Sequence, residues 1–278
     1  MKKILRIVAI ILLLISLIFC YFAYKGYRES EKAVNNSKES FDLLEDLEDK
    51  YEMEDDFLEK GLLENSKKEK RNKSISIMTK NLLETLNKRY GTKNIVAYLT
   101  TGKNGIKEPI SYSTPNVNMY GDFNGRWNKW GHVFLYWQNK TFNDEHLTIF
   151  GHNFKNNIQF GKLSRYPEYK NELKYAKLYL KDRIEYYEIV GAFKVDNYWY
   201  NRTNTWTKEG MKYFLNNLKN NSKIYYDNLK SLNIEEDKTM VLSTCANYYN
   251  DKYKEIGLYK LVSVEGYSQD ETINISTN

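Results

Sequence analysis

Apolar positions are most concentrated at the N-terminus. Three basic residues, Lys2, Lys3 and Arg6, precede an almost uninterrupted apolar run over residues 7–23. With the two apolar residues at positions 4 and 5 included, the run reaches about 20 residues, the length at which a helix spans a bilayer. A cleaved signal peptide has a shorter apolar core and a small-residue cleavage site. This run instead ends on the aromatic-rich stretch "FCYFAYKGY", which is typical of a membrane interface. We therefore predict an uncleaved transmembrane anchor over residues 1–25.

Orientation depends on what flanks this anchor. Basic residues lie on both of its sides, so the Lys/Arg bias between the sides is small. The tail before the anchor is very short, and the bulk of the chain follows it. We expect a single-pass protein of the cell membrane, with the N-terminus in the cytoplasm and the folded domain outside the cell.

Residues 26–74 form a charged spacer with apolar residues at near-helical intervals. From Glu39 to Glu59 there are eleven acidic residues and one basic residue, and from Lys60 to Lys73 the balance inverts to six basic and two acidic residues. Apolar residues such as Phe41, Leu44 and Leu47 recur with the spacing of a helix face. We predict one or two amphipathic helices, a solvated stalk that packs one stripe on the domain or on a neighbour.

The remaining residues, 75–278, carry the pattern of a mainly β domain. The stretch "ISIMTKNLLETLNKRYG" predicts a helix that ends at Gly91, and "TKEGMKYFLNNLKNNS" predicts a second, peripheral helix. Between and after them lie short runs rich in Val, Ile, Tyr and Phe: "NIVAYLTT", "GHVFLYW", "EHLTIFGHN", "LYLKDRIEYYEIVGAFKVD", "TMVLSTC" and "IGLYKLVSVEGY". We expect a closed barrel rather than a doubly wound sheet. The full length of 278 residues with a net charge of +6 suffices for one such domain plus its appendage.

Two cysteines raise a question about chemistry. Cys20 lies in the apolar run, and Cys245 ends the run "TMVLSTC" with no partner in its own domain. Structural cysteines outside the cell are expected in pairs. A lone thiol there is an inert buried residue, an intermolecular link or a reactive group.

Three histidines, His132, His146 and His152, offer two kinds of site. His146 and His152 would face the same side of a regular strand, but Gly151 interrupts that strand and no metal-ligand motif accompanies them. The alternative is a cysteine nucleophile with a histidine base, because a thiol needs a nearby imidazole or cation to exist as thiolate near neutral pH. "TIFGHN" and "VLSTC" each end a predicted strand on the required residue. If the two strands are neighbours, His152 and Cys245 lie at one rim of the barrel.

These motifs resemble a known family. "L-S-T-C" at 242–245, preceded by "F-G-H-N" at 150–153, resembles the sortases, and class B in particular. Three longer stretches, "MYGDFNGRWNKWGHVFLYWQN", "GHNFKNNIQFGKLSRY" and "FLNNLKNNSKIYYDNLKSLNIEEDKTMVLSTC", also resemble class B segments in the expected order. "NIVAYLTTGKNGIKEPI" resembles the first barrel strand. The similarity covers about residues 75–268, and an N-terminal anchor is usual in the family.

The resemblance implies roles for individual residues. Cys245 corresponds to the nucleophile and His152 to its acid/base partner. Sortases also carry an arginine on the strand after the cysteine, but the last arginine of this chain is Arg202. We predict that Lys260, in "LYKLVSVEGY" after a long loop "ANYYNDKYKEIG", takes the place of that arginine, with Lys252 and Lys254 as alternatives. A lysine keeps the charge and loses the planar fork of arginine.

The function implied by the resemblance is that of a membrane-anchored cysteine transpeptidase. Such an enzyme cleaves the C-terminal sorting signal of surface proteins after a threonine, forms a thioacyl intermediate and passes the acyl group to an amine of a peptidoglycan precursor or cross-bridge. That chemistry implies no cofactor and no metal, and we expect no nucleic-acid partner. Because the arginine is missing, a catalytically impaired module that binds sorting signals or scaffolds surface-protein assembly remains an alternative. A membrane-tethered adhesive or structural β domain is a third.

The other candidate residues have no matching role in the family. His132 and His146 are expected to be structural or exposed. Trp127, Trp130 and Trp137 are expected either to line a substrate groove or to pack in the core or on the surface.

Overall fold

The structure, a computed structural model, describes residues 2–51, 65–114, 120–247 and 250–267. The middle of the predicted spacer, residues 52–64, and the C-terminal part of the predicted domain, residues 268–278, lie outside these described residues. The helices are α1 (Lys2–Lys50), α2 (Asn65–Tyr90), α3 (Tyr166–Tyr169), α4 (Asn197–Tyr200) and α5 (Lys208–Asn221). The strands are β1 (Ile95–Thr100), β2 (Lys107–Tyr112), β3 (Val133–Leu135), β4 (His146–Phe150), β5 (Tyr175–Tyr179), β6 (Arg183–Asp196), β7 (Ser222–Asp227), β8 (Thr239–Asn247) and β9 (Asn250–Gly266).

Eight of the described strands close into a barrel. Their order is β5-β1-β2-β3-β4-β8-β9-β6, and a further pairing of β5 with β6 completes the circle. Strand β7 pairs with the second half of β6 and extends the sheet outside the barrel. Most neighbours are antiparallel, but β2–β3 and β4–β8 are parallel. The closed barrel with peripheral helices that the sequence predicts is therefore confirmed.

Among the described residues, three apolar cores hold the barrel and its covering helices together, and one of them lies between α1, α2 and the barrel. The barrel interior is filled by fully buried aliphatic and aromatic residues that include Leu99, Ile110, Leu147 and Leu242. On the outer side of β6, β8 and β9, helix α5 presents Met211, Phe214 and Leu218 to a second core. The side chain of Thr207 caps this helix by accepting a hydrogen bond from the Gly210 N–H, as expected of threonine at a helix start.

Helix α1 continues without a break from the apolar N-terminal run to Lys50. It is the one helix among the described residues that is long and apolar enough to cross a membrane, and its N-terminal apolar side chains, such as Leu14 and Phe22, are exposed. Further along, Phe41 and Leu44 are buried against α2 and the barrel. The described portion of the acidic part of the spacer, up to Lys50, thus belongs to a helix that packs one stripe on the domain.

Helix α2 packs beside α1 and ends where the sequence predicts. Its last residue is Tyr90, and Gly91 follows with a φ of 58°, the left-handed conformation that commonly ends a helix at glycine. The predicted boundary between spacer and domain, near Ser74, falls inside α2. The division into an anchor, a spacer and a domain stays a prediction.

Three features of the sheet differ from the sequence prediction. Strands β2 and β7 are absent from that prediction, because "KEPISY" and "SKIYYD" are short and carry few strongly apolar residues. The long run ending at Asp196 is a hairpin of β5 and β6 rather than one strand. Most of the stretch predicted as a long loop after Cys245 is instead part of two paired strands, since β8 extends to Asn247 and β9 begins at Asn250.

A buried ionic network joins β6 to the start of β8. The Glu185 carboxylate accepts hydrogen bonds from Arg183 Nε at 2.8 Å, from Tyr187 Oη at 2.6 Å and from Lys238 Nζ at 2.9 Å. Burial lowers the pKa of the Lys238 ammonium, although Glu185 opposes that shift. The carboxylate therefore holds two cations in the wall of the barrel.

Replacement of Glu185 is expected to destabilise the domain strongly. In Glu185→Ala the Arg183 guanidinium and the Lys238 ammonium lose their shared anion, and loss of one partner from a buried ion pair costs about 3–5 kcal/mol. Thermal unfolding of the detergent-solubilised chain should show a markedly lower Tm, whereas Glu188→Ala, a half-buried position on the same strand, should leave the Tm nearly unchanged. Equal Tm values for the two variants would contradict a stabilising role for the network.

Candidate active site

The candidate histidine follows the end of β4, and the candidate cysteine lies near the end of β8. These two strands are adjacent and parallel. Phe150, the last residue of β4, pairs with Ser243 on β8, and the Gly151 N–H donates to the Ser243 carbonyl at 3.2 Å. His152 follows Phe150 by two residues, as Cys245 follows Ser243. Adjacent strands lie about 4.8 Å apart. The backbones of His152 and Cys245 are therefore brought to the same rim of the barrel, although they lie far apart in the sequence.

Two aromatic rings hold the His152 imidazole. Its ring stacks on Tyr120, with centroids 5.3 Å apart and an interplanar angle of 29°, and lies 5.4 Å from the ring of Phe154. The side chain is half-buried, so one part of the imidazole faces solvent. Packing between two rings restricts the rotamer of the histidine while leaving the side chain partly exposed.

The loop after His152 is fixed by Gln159. The side-chain carbonyl of Gln159 accepts the His152 N–H at 2.7 Å, and its amide group donates to the Trp130 carbonyl at 2.7 Å. Its own N–H donates to Glu108 Oε1 at 2.8 Å, and its φ of 51° lies in the left-handed region. One buried residue thus connects the histidine loop to β2 and to the loop before β3. Sequence reasoning does not single out Gln159, Glu108 or Tyr120, because no local motif marks them.

The Glu108 carboxyl has a raised pKa. Burial raises its pKa to about 8, and the hydrogen bond from the Gln159 N–H opposes this shift. In the unfolded chain the same carboxyl ionises near its ordinary value of 4.5. Between these two values the folded state binds the proton and the unfolded state does not.

The stability of the wild-type domain should therefore fall relative to Glu108→Gln as the pH rises from about 5 to 8. Where the folded state binds more protons, raising the pH favours unfolding. The side-chain amide of this variant does not titrate, so the variant lacks this contribution. Thermal unfolding at a series of pH values measures the difference. Glu84→Gln, an exposed position on α2, serves as the control and should follow the wild type; a constant difference between wild type and Glu108→Gln would contradict the prediction.

The structure corrects the prediction for Lys260. In the β8–β9 pairing Lys260 is opposite Thr239, at the other end of β8 from Cys245. The two β8 positions are about 20 Å apart at the usual rise of a strand. The Lys260 ammonium instead forms an ion pair with Asp237 at 2.7 Å and donates to the Ser231 carbonyl at 2.9 Å. Lys260 is therefore too distant to act at Cys245, and its prediction as the substitute cation is wrong.

Lys254 is the cation that the register brings to Cys245. The two residues are Cα partners across the β8–β9 ladder. Lys254 is only 8% exposed, whereas Lys252 is exposed. The neighbouring Glu255 is also buried, and burial raises its pKa to about 8. A buried lysine whose backbone pairs with that of Cys245 is placed where a positive charge would be poorly screened by solvent.

The two remaining histidines are buried parts of the scaffold. His132 Nδ1 donates to the Gly121 carbonyl at 2.7 Å, and His146 Nδ1 lies 2.9 Å from Thr239 Oγ1. Burial lowers the pKa of both imidazoles. Within the described ranges no group of three or more His, Cys, Asp or Glu residues is arranged to hold a metal ion.

The tryptophans of the stretch between β2 and β4 have separate environments. Trp130 packs against Phe154 with ring centroids 4.9 Å apart. Trp137 is partly exposed, and Trp127 is 74% exposed. A cavity of about 570 Å³ lies between α1, β2 and this stretch, and its lining includes Trp127, Trp130, His132, Glu108 and Gln159. The described residues that line it include none from β8, so the cavity adjoins the histidine loop from the side of α1.

Comparisons with known proteins identify the fold. A mutant form of Clostridium perfringens sortase B matches with a TM-score of 0.55 and 20% identity, over 72% of this chain and 92% of that one. The Staphylococcus aureus sortase B–substrate complex matches with a TM-score of 0.54 and 20% identity, over 71% and 95% of the two chains. A sortase B complexed with triglycine matches with a TM-score of 0.53 and 21% identity, over 73% and 97%. No family model and no curated protein matches the sequence. At these identities the comparisons confirm the predicted sortase fold.

Proposed function

We propose that this sortase-fold protein is a membrane-anchored cysteine transpeptidase with Cys245 as nucleophile and His152 as general acid and base. The observation that carries the proposal is the register of β4 and β8, because it brings the ends of two strands, with these two residues, to one rim. A thiol close to an imidazole is the arrangement that nucleophilic acyl transfer requires.

The proposed reaction has two halves. The Cys245 sulfur attacks the carbonyl carbon of a peptide bond that follows a threonine, and a C–S bond forms. As the C–N bond breaks, His152 gives its proton to the leaving amine, which departs with the C-terminal part of the peptide. An incoming amine then attacks the thioacyl carbon, transfers a proton to His152 and releases the Cys245 thiolate. The net result is exchange of one amide bond for another, so no oxidant or cofactor is consumed.

Lys254 is the best candidate for the charge that sortases take from an arginine. Its position opposite Cys245 suits it to stabilise the thiolate or the negative oxygen of the tetrahedral intermediate. The ammonium provides a single point of charge rather than a planar fork. We therefore expect weaker orientation of the substrate carbonyl than a guanidinium would give.

The proposed substrates follow from the same fold. One similar structure is a sortase B–substrate complex and another holds triglycine. By analogy, the acyl donor here is a surface protein with a C-terminal sorting signal, and the acceptor is an amine of a peptidoglycan precursor or cross-bridge. Helix α1 would anchor the protein in the cell membrane by its apolar N-terminal part, with the catalytic domain on the outer face.

A peptide panel tests this function. The full chain, reconstituted in lipid nanodiscs, is incubated with fluorogenic peptides that contain one internal threonine in varied contexts, with and without triglycine. Cleavage after threonine, with formation of a triglycine-linked product, is the expected result. Binding of peptides without any cleavage would instead favour a catalytically impaired module that binds sorting signals.

Gln159→Leu should lower the kcat of this reaction by up to ~100-fold, because a displacement of about 1 Å in a catalytic group costs that much. The leucine side chain cannot accept the His152 N–H or donate to Trp130, so the histidine loop loses its anchor. KM should change little, since Gln159 contacts the loop rather than the cysteine strand. Steady-state kinetics measure both constants.

Two comparisons isolate this positioning role. Gln159→Glu retains the acceptor for the His152 N–H and should recover part of the lost kcat. Asn156→Ala removes an exposed hydrogen bond to Ser30 and a long one, 3.4 Å, from the Ile158 N–H of the same loop, but neither contact reaches His152, so this variant should match the wild type. An unchanged kcat in Gln159→Leu, with a wild-type Tm, would refute the positioning role.

A further inference from the structure

Trp127 closes a tight turn over residues 121–127 and is 74% exposed. The turn is held by an antiparallel bridge between Gly121 and Trp127 and by the Asp122 carboxylate, which accepts the Arg126 N–H at 3.0 Å. Gly125 has a φ of 76°, as such a tight turn requires. A large aromatic ring is thus exposed on a hydrogen-bonded segment, residues 120–130, which we call the Trp127 loop.

The Trp127 loop lies beside the end of the apolar run in α1. The Lys129 ammonium forms an ion pair with Glu29 at 2.6 Å. It also lies next to Gly26, since a Cβ atom placed on that glycine would be 3.7 Å from Lys129 Nζ. Gly26 lies just beyond Ala23, the last residue of the apolar run, at a distance of about 4.5 Å along a helix. A headgroup layer is about 5–7 Å thick on each side of the hydrocarbon core. With α1 across a bilayer, Lys129 therefore lies at headgroup depth.

Contacts farther along α1 show how far other parts of the domain lie from the bilayer. Ser30 contacts Asn156, Ser37 donates to the Lys107 carbonyl, and Glu48 accepts from Tyr179. These positions on α1 lie roughly 10, 21 and 37 Å beyond the apolar run at about 1.5 Å per residue. Among these contacts, the Trp127 loop is the part of the domain nearest the membrane, and the β5–β6 turn is far from it.

The chemistry of the loop fits a phospholipid interface. Tryptophan prefers the headgroup level because its ring is apolar and its N–H is polar. The two basic residues beside Trp127 are already neutralised, Arg126 by Asp122 at 3.0 Å and Lys129 by Glu29. This surface can therefore contact lipid through the indole ring of Trp127. It has little net positive charge with which to attract anionic lipid headgroups.

We propose that the Trp127 loop inserts its indole ring into the phospholipid headgroup layer and forms a second membrane contact beside α1. This inference rests on the proposed membrane anchoring. It has a consequence for the active site, because Tyr120 of the same loop stacks on the His152 ring. Membrane contact would hold the histidine side of the site at a fixed height and orientation above the bilayer.

Site-directed spin labelling of the full chain tests this contact. A nitroxide is placed at one position at a time, by Trp127→Cys, Leu14→Cys or Lys181→Cys, in a chain that carries Cys20→Ser and Cys245→Ala. The proteins are reconstituted in nanodiscs of phosphatidylcholine and phosphatidylglycerol. Collision rates with oxygen, which partitions into lipid, and with a water-soluble nickel chelate then give the depth of each label.

The expected result is a graded series. The label at 14 should be accessible to oxygen and shielded from nickel, the label at 127 should have an interfacial ratio, and the label at 181, an exposed position beyond β5, should be fully accessible to nickel. Nickel accessibility at 127 equal to that at 181 would overturn the proposal. So would shielding from both reagents, which would indicate a protein partner on the loop.

The label at 14 separates failure of the contact from failure of the anchor. An aqueous label at 14 would show that α1 does not span the bilayer, and the proposed anchoring itself would then be wrong. Intrinsic fluorescence gives a second readout that needs no cysteine: brominated lipids should quench the wild type more than Trp127→Phe. Equal quenching of these two proteins would also overturn the proposal.

Discussion

Replacement of Cys245 by alanine should abolish peptide cleavage, with a loss of at least ~1,000-fold in kcat/KM. Without the thiol no thioacyl intermediate forms, and His152 alone has no nucleophile to activate. Because the backbone hydrogen bonds of β8 do not involve the side chain, Cys245→Ala should fold and retain the wild-type Tm. Initial rates with the most active peptide of the panel measure the effect.

Two further variants help to interpret this result: one is a control for the loss of a thiol, and the other removes the proposed acid/base group. Cys20→Ala removes the other thiol of the chain, which lies exposed on α1, and should keep full activity. His152→Ala should lose a comparable factor, since protonation of the leaving amine and activation of the incoming amine both depend on the imidazole. Residual cleavage by Cys245→Ala at a rate close to that of the wild type would place the nucleophile elsewhere.

Lys254→Ala should have the second largest effect, a loss of about 100- to 1,000-fold in kcat, the range seen when one donor to an oxyanion is removed. The physical reason is its place opposite Cys245, where the buried ammonium can offset the negative charge of the thiolate or of the tetrahedral oxygen. Lys254→Arg should retain much of the activity, because the charge is kept and a guanidinium can donate two hydrogen bonds.

Lys260→Ala is the matched control for that experiment. It removes a lysine from the same strand, but one whose ammonium is engaged by Asp237 at the far end of β8. Its kcat should stay within about twofold of the wild type, since surface substitutions away from the site have little effect. If Lys260→Ala impaired turnover and Lys254→Ala did not, the β8–β9 register could not describe the active protein.

The contrast between Lys254 and Lys260 shows which parts of the site can be predicted from local sequence patterns and which cannot. The strands that end in "TIFGHN" and "VLSTC" are predictable because runs of β-branched and aromatic residues bounded by turn residues are local signals. The prediction misplaces Lys260 because the polar stretch after Cys245 has the composition of a loop. In the structure, β9 begins at Asn250, and its polar residues are tolerated because pairing with both β6 and β8 satisfies their backbone groups.

Long-range pairing is the other part that local patterns do not contain. Whether β4 and β8 are neighbours depends on the closure of the whole barrel, and only that adjacency brings His152 to the level of Cys245. The same holds for Gln159, whose three hydrogen bonds reach β2, the Trp127 loop and the histidine loop. Nothing in the residues next to Gln159 indicates these partners.

The most direct test of the central claim, that Cys245 is an acyl-accepting nucleophile, is the intact mass of the protein after incubation with a threonine-containing peptide and an acid quench. We expect a mass increase equal to the acyl part of the peptide, located on Cys245 by fragmentation, enhanced when no triglycine is present and absent from Cys245→Ala. An unmodified mass under conditions where the peptide binds, or an adduct that persists in Cys245→Ala, would contradict it.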